Sequence, residues 1–80
     1  MYTIIHFRET NASDPNEAAD VLVQVQTSAV NQTALNRLNE AVAEKKLDDA
    51  ADPDEIVAYA MDKAFGEGNW GYPKTREVEF

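Results

Sequence analysis

Eighty residues carry 15 acids against seven bases, a net charge of -8, and fit one small domain, 1–80, whose surface repels nucleic acid and anionic membranes and attracts basic surfaces. Cysteine is absent, which excludes a disulfide framework and fits a cytoplasmic location. No apolar run approaches the roughly 20 residues of a bilayer span, and the opening residues lack the basic start and apolar run of a signal peptide.

Residues 2–9 are rich in β-formers. Tyr2, Ile4 and His6 share one face, and Thr3, Ile5 and Phe7 the other, so apolar groups on both sides predict a covered, central strand. A polar connection follows. Within it, Asp14-Pro15-Asn16-Glu17 has the form of a helix start, good for at most one turn. Val21, Val23 and Val25 then repeat with a period of two and predict a second strand over about 20–27. The rival is a helix through residue 26 that uses Ala18, Leu22 and Val25 as its stripe.

From Asn31 the period lengthens. Leu35, Leu38 and Val42, flanked by Ala34 and Ala41, mark one face of an amphipathic helix capped by Asn31 and ending near Leu47. Lys45 and Lys46 suit the negative end of its dipole. Asp52-Pro53-Asp54-Glu55 predicts a second helix, with Asp52 as cap, Pro53 at the first position and Glu55 closing a capping box. Ile56, Val57, Ala60, Met61, Ala64 and Phe65 line its inner side, and Gly66 ends it as a left-handed cap. Arg76 to Phe80 alternate once more and predict a short strand. The order is β-β-α-α-β, an α+β domain with a three-stranded, mostly antiparallel sheet and a helical hairpin packed on one face. A doubly apolar first strand favours a third strand beside it, while the sequence leaves both orders, 2-1-3 and 1-2-3, open. So small a sheet keeps edges that can pair with another chain, so a homodimer is among the candidate partners.

Gly66-x-Gly68-x-x-Gly71 has the letters of a dinucleotide loop, but it follows a helix C-terminus, where the dipole has the wrong sign for phosphate. The acidic run from Asp48 has Pro53 where an EF-hand needs glycine. His6 is the only histidine; with no cysteine it has no zinc partner set, and pairing to a neighbour on the sheet is its expected role. No side-chain set suggests acid-base or nucleophilic catalysis, a cofactor or a metal, and the chain is read as non-enzymatic.

Two features point to partner binding. Glu40, Glu44 and Asp48 are four residues apart and on one helix would stand about 6 Å from one another in a column, a spacing comparable to successive phosphates of a nucleic-acid strand. Asp49, Asp52, Asp54, Glu55 and Asp62 widen that patch if the second helix packs antiparallel to the first. Trp70 and Tyr72 are residue types enriched at interface hot spots, although Trp70 folded over the end of the second helix would instead seal the core. The expected function is a small acidic binding protein that occupies a basic surface of a partner, as in a nucleic-acid-handling complex, without binding nucleic acid or membrane itself. In size and charge the chain resembles phage- and mobile-element-encoded inhibitors of host defence, anti-CRISPR proteins among them, a likeness of type that rests on no sequence motif. The alternative is a protein-interaction or homodimeric assembly module that uses the sheet edge or the Trp70 loop.

Overall fold

A computed structural model describes residues 1–10, 16 and 18–73. The elements are β1 (Tyr2–Thr10), β2 (Ala18–Gln26), a 3-10 turn (Thr27–Ala29), α1 (Gln32–Lys45), α2 (Pro53–Phe65) and β3 (Trp70–Gly71). The three strands lie in the order β1-β2-β3, antiparallel throughout. This is the expected α+β arrangement, with the helical hairpin against one face of the sheet.

The alternating valines form a strand, not the rival helix, because a period of two puts Val21, Val23 and Val25 all on the helix-facing side. They pack there with Phe7 of β1, Leu38 and Ala41 of α1, and Val57, Ala60 and Met61 of α2. Val23, Val25, Ile56, Val57 and Met61 are fully buried, each contributing on the order of 1.5–3 kcal/mol through apolar burial.

Two expectations about the sheet are corrected. Among the described residues β1 is an edge strand and β2 is the central one, with β3 pairing to β2 through Gln24–Gly71 and Val25–Trp70. The face of β1 carrying Tyr2, Ile4 and His6 is open to solvent, since both helices lie on the other side. Apolar residues on both faces indicated cover that the described residues do not supply. β3 itself falls at Trp70–Gly71, within the predicted loop, where two residues are too short to show an alternation; the strand expected at 76–80 and the short helical turn expected around 14–17 lie outside the described residues, Asn16 apart, which sits in a turn.

The helices begin and end for local reasons. Asn31 is extended and its side chain accepts from the Ala34 amide at 2.9 Å, the expected cap of α1. α1 stops at Lys45, short of Leu47, because Leu47 and Asp48 bond back by one residue fewer, to the carbonyls of Glu44 and Lys45, and tighten the chain into a turn. Ala51 in that turn is fully buried and holds the hairpin bend to the core. α2 begins with Pro53 after an extended Asp52, but the Asp52 side chain makes no capping bond, so the expected capping box does not form. Gly66 ends α2 with φ 94°, a conformation that favours glycine, and a Cβ there would also meet Asn69 Nδ2 at 2.8 Å. Asn69 in turn donates to the Phe65 carbonyl at 2.9 Å and closes the helix end.

Candidate functional site

The acidic column is broken by the end of α1. Glu40 and Glu44 lie on α1, while Asp48 lies beyond its end, in the turn. Asp48 is also engaged: its side chain accepts from the Ala50 amide at 3.0 Å and lies 3.6 Å from Lys45 Nζ. Glu44 accepts the Tyr59 hydroxyl at 2.5 Å. The ammonium groups of Lys45 and Lys63 each sit 5.4 Å from the centre of the Tyr59 ring, a cation–π arrangement that places two positive charges beside Glu44. The outward side of the hairpin is therefore of mixed charge at this level.

A different group of acids is left free. Asp49, Asp52, Asp54 and Glu55 are exposed and make no ion pair or side-chain hydrogen bond among the described residues, and the same holds for Glu40 and Glu67. The first four occupy the hairpin turn and the opening turn of α2. Asp54 and Glu55 stand in that opening turn, where the helix dipole favours negative charge, so the fold tolerates the cluster without cations to balance it.

The two aromatic residues have different positions. Trp70 is half-buried, packs against the core, and donates its indole N–H to Asp62 at 2.8 Å; it seals the end of α2. Tyr72 is exposed and meets Trp70 edge to face, with ring centres 5.5 Å apart. It lines a groove of about 500 Å³ with Asp20, Leu22, Asp54 and Pro73. Burial first, and then the negative charges of Asp54 and Asp62, push the Tyr72 phenol above its ordinary value of 10.0. The structure thus brings Tyr72 beside Asp54 of α2 and ties the Trp70 indole to Asp62. A second hollow of about 540 Å³, bounded by Tyr2, Gln24, Gln26, Asn69 and Trp70 among others, has no acidic or basic side chain among the described residues that line it.

His6 is paired as expected, its Nε2 lying 3.2 Å from Asp20 Oδ1, with Arg8 Nε 3.9 Å from the same oxygen. Among the described residues no three His, Asp or Glu side chains converge to hold a metal ion, and no helix is long and apolar enough to cross a membrane. Sequence reasoning passed over Glu9. It lies on the helix-facing side of β1 with its side chain 11% exposed, and Lys46 Nζ lies 2.6 Å from its Oε2. The pair is ionic by distance, but the approach lacks hydrogen-bond alignment, since Oε2 has no hydrogen-bond partner. A charged residue in line with Ile5 and Phe7 on the inner face of the strand was the available signal.

Comparison of the chain with protein-family models, with curated proteins and with solved structures finds no match in any of the three. The functional reading therefore rests on the geometry above.

Proposed function

We propose that the protein is a small acidic, non-enzymatic binding protein that occupies a basic, nucleic-acid-binding surface of a partner protein, an inhibitor of the phage or anti-CRISPR type that works in the cytoplasm. The observation that carries this reading is the set of four free carboxylates, Asp49, Asp52, Asp54 and Glu55, at one end of a chain of net charge -8. Unengaged carboxylates on a rigid helix start are available to a partner's arginine and lysine side chains with little rearrangement. Tyr72, beside Asp54, supplies an aromatic surface next to the charge. Glu44 and Asp48 contribute less, because internal partners already hold them.

The test compares two baits in affinity capture from a lysate of the source cells. One is the natural chain; the other carries Asp49→Asn, Asp52→Asn, Asp54→Asn and Glu55→Gln. The natural bait should retain nucleic-acid-binding proteins at low salt and release them to added DNA or to rising salt. The neutralised bait should bind them roughly tenfold more weakly or worse. Equal retention by both baits, or retention that DNA does not compete, would reject the reading. The alternative, a protein-interaction or homodimeric assembly module, is favoured by one separate observation, the edge and outer face of β1, which no other described element covers.

A further inference from the structure

The outer edge of β1 has no strand beside it among the described residues. β1 pairs with β2 over nine consecutive residues in one unbroken register, without a bulge. The Thr27 amide donates to the Met1 carbonyl at 3.1 Å, which makes Met1–Thr27 a hydrogen-bonded pair and fixes the alternation of the ladder. The backbone groups of Thr3, Ile5, Phe7 and Glu9 then face β2, and those of Tyr2, Ile4, His6, Arg8 and Thr10 face outward. Edges of soluble proteins are commonly blunted by proline, lysine or bulges; from Tyr2 to Thr10 this one has none of them.

We infer that this edge pairs with the same edge of a second copy, antiparallel about a two-fold axis at Ile5, to make one continuous sheet. This inference stands apart from the acidic reading and uses the opposite chemistry. Residues 2–8 contain one base and no acid in a chain of net charge -8, so two copies meeting along β1 bring no carboxylate of that stretch against another. The register about Ile5 is self-complementary. It sets Tyr2 against the partner's Arg8, Ile4 against the partner's His6, and Thr3 against the partner's Phe7, with Ile5 facing the partner's Ile5. Centring on His6 instead would set two imidazoles against each other. The outward backbone groups of Tyr2, Ile4, His6 and Arg8 form the hydrogen-bonded pairs, and the half-exposed Tyr2 and Ile4 side chains, 58% and 49% accessible, gain neighbours across the seam. The molecule measures 38 × 36 × 18 Å, and an edge 18 Å thick cannot supply the roughly 800 Å² per partner of a standard interface. The dimer is accordingly a micromolar one.

Sedimentation of the full chain across a concentration series tests the inference. The natural chain should shift from monomer to dimer in the micromolar range. Ile4→Pro deletes one outward N–H and leaves the bonds to β2 in place; it should weaken dimerisation roughly tenfold or more while circular dichroism stays unchanged. Leu22→Lys, on the outer face of β2 away from the edge, should leave dimerisation as it was. Ile5→Cys introduces the only cysteine. Residue 5 would face itself in a non-hydrogen-bonded pair, about 4.5 Å between Cα atoms, within disulfide range, so mild oxidation should give a covalent dimer. This reads the register even if the proline variant fails to fold. A chain that stays monomeric throughout, a dimer lost in Leu22→Lys but kept in Ile4→Pro, or an Ile5→Cys chain that does not cross-link would each overturn the inference.

Discussion

Tyr59 donates its hydroxyl hydrogen to Glu44 between two lysine ammonium groups. The hydrogen bond to Glu44 is the main reason its phenol titrates above 10.0, followed by partial burial and the Glu44 charge. The folded value is raised above the unfolded one, so the stabilisation is complete below pH 10.0 and is lost as pH rises through the folded value. Stability measured against denaturant should fall more steeply through this alkaline range in the natural chain than in Tyr59→Phe; equal slopes would show that the hydroxyl–carboxylate bond does not form. The same contact explains why Glu44 is a weak prospect for partner binding. Nothing in the spacing Glu40, Glu44, Asp48 reveals a tyrosine fifteen residues away, or Trp70 held to Asp62. By contrast, the Gly66 helix end and the pairing of His6 were readable, because both follow from local backbone preference or from a polar residue on a strand.

At the scale of elements, Glu9 and Lys46 tie the far end of β1 to the end of α1. The two members differ in exposure, 11% for the Glu9 side chain against 42% for Lys46. Removing the lysine strands a carboxylate with little water, whereas removing the carboxylate leaves an ammonium that solvent can reach. Lys46→Met should therefore destabilise the domain by about 1–3 kcal/mol, and Glu9→Met by clearly less. Chemical denaturation of the two variants checks the order, and the reverse order would reject the stranded carboxylate as the main cost of breaking the pair. The two long strands and both helices were legible because their periods of two and of three to four are set by burial against a single core. The place of β1 in the sheet was not. Tyr2, Ile4 and His6 look the same whether a layer covers them or solvent does, and only the side chosen by the hairpin decides between the two. Strand β3 was missed because a two-residue pairing is specified by the return of the chain from Gly66, not by its own pattern.

The whole molecule is a two-layer slab with charge divided between its parts. Free carboxylates gather at the hairpin turn, and the β1 edge is free of acid as far as Arg8. A net charge of -8 announced an acidic surface without showing which acids have internal partners, since those contacts join residues distant along the chain. The alternation of the β1 ladder also sets a pattern in time. The amide protons of Thr3, Ile5, Phe7 and Glu9 are held by β2, while those of Tyr2, Ile4, His6 and Arg8 face away from it and meet no strand among the described residues. In dilute solution deuterium should enter β1 at every second residue first. As the protein is concentrated and the seam closes, uptake should slow at the outward set alone, so exchange rates followed residue by residue would separate the fold of one chain from the meeting of two.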